Sequence, residues 1–364
     1  MGFGAVKRVA FRFDASARIG TGHFTRCLTL ADALRQRGAQ VAFVCRHLPA
    51  HLASLLAAKT YDLRMLDNAA SRPISSGSSV YSDWLGVDQT DDAQAAVRAL
   101  SGQRWDWVVA DHYALDAVWE KCLRAVADRV LVIDDIANRQ HCADVLIDQN
   151  HYPDMMRRYA DKVPAHCQLL LGPTYALLRG EFGRLHAEVR PRSGPVRRAL
   201  VFFGGVDGGN YTEVAVHAVG EVVSSGLHVD VVIGAQHPSR QKIEAECYKY
   251  RFDCHVETTR MAQLMAAADL GVGAAGSATW ERCCLGLPAL IISLAENQTD
   301  IARGVDLCGA GMYLGTQDVV ALPVLRDAIQ TLLHDASRRE SLSRNAYSMV
   351  DGLGTSRVCD VVGA

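Results

Sequence analysis

An α/β protein of two parallel-sheet domains is predicted by three features of this sequence. Short β-type runs alternate with longer amphipathic stretches through most of the chain, which argues for parallel sheets covered by helices. The scheme of apolar run, glycine-rich turn and helix occurs twice, once from Val9 and again from Ala199. A length of 364 residues also exceeds what one hydrophobic core usually serves. Together these features describe two Rossmann-like domains facing each other across a cleft, with both glycine turns at its mouth.

In the first half, strands are expected at Val9–Phe13, Val41–Cys45, Asp62–Met65, Trp107–Asp111, Val130–Asp134 and Val145–Asp148. Between the first two lies the clearest helical pattern, from about Phe24 to Arg37, with Leu28, Leu30, Ala31 and Leu34 on its apolar side and Gly38 as its stop. The Ser- and Gly-rich segment 69–82 reads as a surface loop. Periodicity vanishes and Pro, Gly and Arg accumulate over 186–198, which marks a linker between an N-terminal domain, 1–185, and a C-terminal domain, 199–364. Further strands follow at Val229–Ile233, Leu270–Gly273, Ala289–Ser293 and Gly311–Leu314, and the final helical segment from about Arg338 is open to packing back on the N-terminal domain.

Composition narrows the function. Lys and Arg number 38 against 40 Asp and Glu, a formal charge of -2, so nothing global favours nucleic acid or an anionic membrane. No charged leader precedes a long apolar segment, and no window approaches the roughly 20 apolar residues of a spanning helix, so the chain reads as cytosolic. The eleven cysteines are scattered singly apart from Cys283-Cys284, with no C-x-x-C pair, and Cys27, Cys122 and Cys283 fall in apolar helical patterns. They read as reduced, buried thiols.

The most informative stretch is Val9-Ala-Phe-Arg-Phe-Asp-Ala-Ser-Ala-Arg-Ile-Gly20-Thr-Gly22-His23, where a strand meets a glycine turn that opens a helix. It places an imidazole beside free backbone N–H groups at a strand's carboxyl end, where parallel sheets bind ligands and a helix start favours anions. Asp269-Leu-Gly-Val-Gly-Ala-Ala275-Gly276-Ser277-Ala-Thr-Trp-Glu281 repeats the idea in the second half. Small side chains there let a diphosphate approach the helix, and Glu281, one turn inside, can accept hydrogen bonds from ribose hydroxyls. The stretch resembles the donor-nucleotide site of two-domain, B-type glycosyltransferases; tight helix–sheet packing with a surface glutamate is the other reading. Asn297 and Gln298, after the next strand, read as sugar-binding amides or as helix caps. Asp111-His112-Tyr113, Asp134-Asp135 and Asp148-Gln149-Asn150 each end an apolar run and together describe one rim of a cleft, although each alone reads as a turn or cap. With no D-x-D, no H-x-H and no G-x-S-x-G, neither a metal centre nor a serine triad is indicated.

Phe11-Arg12-Phe13-Asp14-Ala15-Ser16, Ile19-Gly20-Thr21-Gly22-His23, Arg26-Cys27, Asp111-His112-Tyr113, Tyr175-Ala-Leu-Leu-Arg179-Gly-Glu-Phe182, Phe203-Gly204-Gly205, Gly273–Glu281 and Glu296-Asn297-Gln298 follow one another in a telling order. From about residue 8 to 345 the chain resembles the UDP-sugar hydrolases of pseudaminic acid biosynthesis; the loop 69–82 and the tail beyond 345 do not match. Those enzymes cleave UDP-2,4-diacetamido-2,4,6-trideoxy-β-L-altropyranose to UDP and a free sugar, which is then condensed with phosphoenolpyruvate. Their fold is similar to that of the glycosyltransferase that adds N-acetylglucosamine to lipid-linked muramyl pentapeptide. The resemblance implies His23 as general base, C1–O cleavage with inversion, no cofactor and no metal. It implies a substrate-binding set of Gly20, Gly22, Tyr113, Arg179, Gly205, Ala275, Gly276, Ser277, Glu281, Asn297 and Gln298. Arg179 reads equally as a substrate contact from the first domain or as a salt-bridging arginine.

The chemistry agrees. UDP leaves as a stabilised anion, so one base and electrostatic support for the diphosphate suffice, and a histidine titrates in the right range. The alternatives are a B-type glycosyltransferase that passes a UDP-sugar's glycosyl group to an alcohol, a hydrolase of a related UDP-diacetamido sugar for another nonulosonic acid, and a nucleotide-sugar-binding module without turnover. A cytoplasmic monomer binding only a small nucleotide-sugar is the default for two domains of this size.

Overall fold

The computed structural model describes residues 6–16, 18–67, 81–222 and 226–364. The expected loop 69–82 lies outside these as far as residue 80, and Ser82–Leu85 forms a short helix.

The chain divides into two compact units, the first comprising Met1–Gln149, Asp154–Leu177 and Gly354–Ala364. Among the described residues its strands are β1 (Arg8–Phe13), β2 (Gln40–Cys45), β3 (Asp62–Met65), β4 (Trp105–Asp111), β5 (Ala127–Ile133), β6 (Val145–Asp148) and β7 (Gln168–Leu171). All pair in parallel, in the order β3-β2-β1-β4-β5-β6-β7. The second unit, Asn150–Pro153 with Leu178–Leu353, holds β8 (Arg198–Phe202), β9 (His228–Ile233), β10 (Asp253–Val256), β11 (Leu270–Ala274), β12 (Ala289–Ser293) and β13 (Met312–Thr316). These are also parallel, ordered β10-β9-β8-β11-β12-β13. The chain is thus two Rossmann-like halves. In each sheet the direction of strand addition reverses once, between β1 and β4 and between β8 and β11, and such switch points leave a crevice at the carboxyl edge.

The strands β7 and β10 are additions to the sequence reading. Both are four-residue edge strands, the first too short for its apolar pattern to separate strand from helix and the second polar. The passage from first to second unit comes at Leu177–Leu178, ahead of the expected linker 186–198 and domain boundary at 185. Helix Gly180–Glu188 buries Phe182 and packs on helices Met261–Ala267 and Ser277–Cys284, which ties it to the second unit. Helix Ala336–Met349 stays there too, whereas Gly354–Ala364 belongs to the first.

Alternation along β1 organises the first core. Val9, Phe11 and Phe13 share one face with Leu30, Ala31 and Leu34 of helix Gly22–Gln36 and with Val358, Cys359 and Val362 of helix Gly354–Val362. Leu28, expected on that apolar side, is only half-buried. Trp107 seals the arrangement by donating its indole N–H to the Val362 carbonyl at 3.0 Å. Ala10 faces the opposite layer with Trp105, Val108 and Trp119. Arg12 is buried and shares its guanidinium between Asp14 (2.7 and 3.0 Å) and Asp92 (3.1 and 2.8 Å). Asp92 also receives Arg46 at 3.0 Å and the Trp119 indole at 3.0 Å, while Asp14 accepts the backbone N–H groups of Arg46 and His47. This network fixes the loops after β1 and β2. All eleven cysteines are free thiols, Cys27 and Cys283 buried and Cys122 half-buried. Among the described residues no helix is long and apolar enough to cross a membrane.

Burial alone would raise the Asp92 carboxyl, but Arg12 outweighs it and holds the group below its ordinary value. Its contribution to stability is therefore complete above the ordinary carboxylate range, near pH 4, and is lost as pH falls through the lowered value. Asp92→Ala, which leaves buried Arg46 without its carboxylate and Arg12 with Asp14 alone, should destabilise the fold by about 3–5 kcal/mol in urea titrations near neutral pH. A loss under 1 kcal/mol would mean that the network is not holding these loops.

Candidate active site

The first candidate site lies at the β1/β4 switch point. After β1 the chain turns through Ser16 and Gly20, which form a one-residue bridge, with the Gly20 N–H donating to the Ser16 carbonyl at 2.8 Å. Gly20 has φ +81°, a backbone that only glycine adopts without strain. Helix Gly22–Gln36 begins two residues later, and a side chain at Gly22 would meet nothing within 4 Å, so the space over this helix start is open.

His23 and Arg26, three apart on one helical face, both reach Asp111 at the end of β4. His23 Nδ1 lies 2.6 Å from Asp111 Oδ1. Arg26 grips the same carboxylate with both arms, Nε to Oδ2 at 2.6 Å and Nη2 to Oδ1 at 2.6 Å, and its Nη1 donates to Asp135 at 2.8 Å. Burial would raise Asp111's carboxyl, but Arg26 and then His23 more than reverse that and hold it well below its ordinary value. An ionised carboxylate can only accept, so the proton sits on Nδ1 and Nε2 carries the lone pair when the ring is neutral. Nε2 has no hydrogen-bond partner among the described residues. Tyr113 stands edge-on to the imidazole with centroids 4.8 Å apart, and burial followed by Asp135 keeps its phenol protonated. Tyr81 and Trp84 extend this aromatic surface, 5.0 and 5.6 Å from the Tyr113 ring.

Other polar strand ends serve the scaffold. Asp134 turns inward to Arg139 and His141 and accepts the Tyr159 hydroxyl, which also reaches Asp148, whereas its neighbour Asp135 faces Arg26. Gln149 accepts the Leu177 N–H, and Asn150 accepts the Trp280 indole within the second unit.

The second candidate site lies at the β8/β11 switch point. The loop 203–210 uses φ +103° at Gly204, and Gly205 passes so close to Gly234 that a Cβ there would sit 2.0 Å from the Gly205 carbonyl oxygen. The helix after it, Tyr211–Val222, has its first N–H groups taken by Asp207, which bonds Tyr211 N at 3.1 Å and Thr212 N at 2.7 Å. That helix start is filled by its own carboxylate. The start of helix Ser277–Cys284 differs. Its N-cap is Gly276, where a side chain would meet nothing within 4 Å, and Ser277 is exposed. The N–H groups of residues 277 and 278 have no intrahelical acceptor, the requirement for holding an anion.

Glu281 lies one turn in, mostly buried, 3.6 Å from Arg179. Burial raises its carboxyl and Arg179 partly offsets this. Arg179, expected in the first domain, belongs to the second unit and also pairs with Glu181 at 3.1 Å. The carboxyl ends of β11 and β12 are neighbours, which brings Glu296–Gln298 to the same sheet edge. Asn297 is exposed there, while the Gln298 side-chain oxygen accepts the Leu294 N–H at 3.0 Å. One group of described residues, His228, Asp230 and Asp253, has metal-ligand spacing. It lies towards the amino ends of β9 and β10, away from both switch points, and Asp230 is already paired with Arg198 and His255.

In long-range ¹H–¹⁵N correlation spectra at high pH, His23 should show the Nδ1–H tautomer, and Asp111→Asn should abolish that preference. Retention of the preference in Asp111→Asn would remove Asp111 as the orienting group.

Residues 199–353 match the model of the glycosyltransferase family 28 C-terminal domain. The chain is 24% identical to the spore coat polysaccharide biosynthesis protein SpsG of Bacillus subtilis over 270 residues, 73% of this chain and 78% of that protein. It is 24% identical over 238 residues to the UDP-2,4-diacetamido-2,4,6-trideoxy-β-L-altropyranose hydrolase of Campylobacter jejuni, covering 65% of this chain and 73% of that protein. The crystal structure of MurG from Acinetobacter baumannii superposes with a TM-score of 0.65 at 17% identity, covering 98% of this chain and 99% of that one. The chain is thus similar in sequence to a UDP-2,4-diacetamido-2,4,6-trideoxy-β-L-altropyranose hydrolase, matches the glycosyltransferase family 28 C-terminal domain over 199–353, and has the fold of the B-type glycosyltransferases.

Proposed function

We propose that this chain hydrolyses UDP-2,4-diacetamido-2,4,6-trideoxy-β-L-altropyranose to UDP and the free sugar, with His23 as general base. The observation that carries this reading is the His23–Asp111 pair, with Nε2 free of protein partners at the switch point of the first sheet. Nε2 takes a proton from water as the water oxygen bonds to C1. The C1–O bond breaks with its electron pair leaving on the diphosphate, and the anomeric configuration inverts. Asp111 balances the imidazolium that forms, in the way a carboxylate supports a histidine base elsewhere. The aromatic surface of Tyr113, Tyr81 and Trp84 suits the apolar face of a deoxy sugar.

The nucleotide end is assigned to the second unit. Ser277 and Ala278, at the open helix start, offer backbone N–H groups to the diphosphate, whereas those of Ala275 and Gly276, also expected as donors, are already given to the Ile292 carbonyl at 3.1 Å and to Thr279 Oγ1 at 3.2 Å; Glu281, whose carboxyl burial raises and Arg179 brings partly back, accepts from ribose hydroxyls. Asn297 is exposed at the same edge for a sugar substituent. Gly20, Gly22 and Gly205 contribute closeness of approach rather than side chains. No metal is part of this reading, since backbone donors and a helix start stabilise the leaving group. The support for a hydrolase in particular is the similarity to the Campylobacter jejuni enzyme. The family 28 domain equally suits transfer to an alcohol, so the reading is tested by UDP release with and without acceptor. Release at full rate from the diacetamido sugar nucleotide in water alone is expected. Release only with an alcohol acceptor would make the chain a transferase.

His23→Asn should keep the fold and most UDP affinity while kcat falls by at least about 10²-fold. Retained kcat would exclude His23 as the base. Glu281→Ala should weaken UDP binding by about 1–3 kcal/mol in calorimetry, the cost of breaking a buried hydrogen-bonded pair. Unchanged affinity would remove Glu281 from the nucleotide site. Chelation with EDTA should leave the rate unaltered, and loss restored by magnesium would reveal a metal role.

A further inference from the structure

Arg282 follows Glu281 on helix Ser277–Cys284 and is buried, with 3% exposure. Its side chain runs back towards the helix start. Nη2 donates to the Ala274 carbonyl at 2.8 Å and to Thr279 Oγ1 at 3.1 Å. Thr279 Oγ1 in turn accepts the Gly276 N–H at 3.2 Å, which links the guanidinium to the open N-cap. A Cβ on Gly273 would lie 3.0 Å from Nη1, so the charge sits directly behind the end of β11. Nε is buried without a hydrogen-bond partner, and no carboxylate forms an ion pair with Arg282 among the described residues. Glu281 turns to Arg179 instead.

This placement is unlike that of the other buried arginines. Arg12, Arg26 and Arg46 each pair with carboxylates, and Arg339 caps the Leu332 and Leu333 carbonyls near the negative end of their helix. Arg282 is a cation near the positive end of a helix, where the dipole disfavours it. A buried charge with no carboxylate in ion-pair contact is costly and persists where something else helps to balance it.

We propose that Arg282 is the buried countercharge for the diphosphate, acting from behind the 275–277 loop and holding its N–H groups in place through Ala274 and Thr279. The proposal rests on the reading of that loop as the diphosphate site. Burial lowers the guanidinium to about 10 and the neighbouring Glu281, which makes no ion pair with it, offsets only part of this, in keeping with a cation whose charge is incompletely balanced until the nucleotide binds. Because the group lies behind the backbone, it is a positioning and electrostatic residue and makes no contact with the reacting atoms.

The test compares uridine and UDP binding by calorimetry on the wild type, Arg282→Gln and Arg282→Lys, alongside thermal unfolding without ligand. Arg282→Gln keeps a donor for Ala274 but removes the charge. It should unfold at or above the wild-type temperature, bind uridine within twofold of wild type and lose at least tenfold in UDP affinity, while Arg282→Lys recovers most of that loss. Equal losses for uridine and UDP, or failure of Arg282→Gln to fold, would show a structural arginine and overturn the proposal. Unchanged UDP affinity in Arg282→Gln would overturn it as well. Wild-type protein that binds UDP no better than uridine would instead overturn the assignment of the loop to the diphosphate.

Discussion

The Asp111 carboxylate, gripped by both arms of Arg26 while it accepts the His23 ring, is the constraint on which the first unit's chemistry depends. An uncompensated carboxylate at that depth would take up a proton, and a protonated acid could not fix the tautomer of the imidazole. Arg26 prevents this, and Asp135 balances Arg26 in turn. The four side chains come from helix Gly22–Gln36, the end of β4 and the loop after β5, so their meeting depends on the strand order β1-β4-β5. Phe13 pairs with Asp111 in register, which sets the height of the carboxylate over the helix start.

Much of this was legible in the sequence. Short β-type runs marked eleven of the thirteen strands among the described residues, most of them because a strand buried on both faces has to be apolar throughout. The edge strands Gln168–Leu171 and Asp253–Val256 escaped, being short and, in the second case, polar. His23 was legible from its place after Gly20 and Gly22. Its partner was visible only as one of several acids at strand ends, since which of Asp111, Asp134, Asp135 and Asp148 faces the histidine is decided by strand order and side-chain direction. Arg26 stood in the quoted motif, and its three-residue spacing from His23 is the signal that could have assigned it. The chain passes to the second unit earlier than composition suggests because helix Gly180–Glu188, with Phe182 buried, already packs on helices of that unit before the Pro- and Arg-rich stretch begins.

The two glycine turns look alike in sequence and differ in what they leave open. At Asp207 the chain supplies its own anion to the helix start. At Gly276 it supplies none, and a buried arginine adds positive charge behind the loop. A single carboxylate one turn before the helix distinguishes a sealed start from an open one, and no glycine count reveals that.

The central claim is that water attacks carbon, and the fate of solvent oxygen tests it most directly. Turnover of the diacetamido sugar nucleotide in ¹⁸O-labelled water, analysed promptly by mass spectrometry of both products, should place the label on C1 of the sugar and leave UDP unlabelled. Label in UDP would show attack at phosphorus and contradict the assignment of His23 as the base for C1–O cleavage.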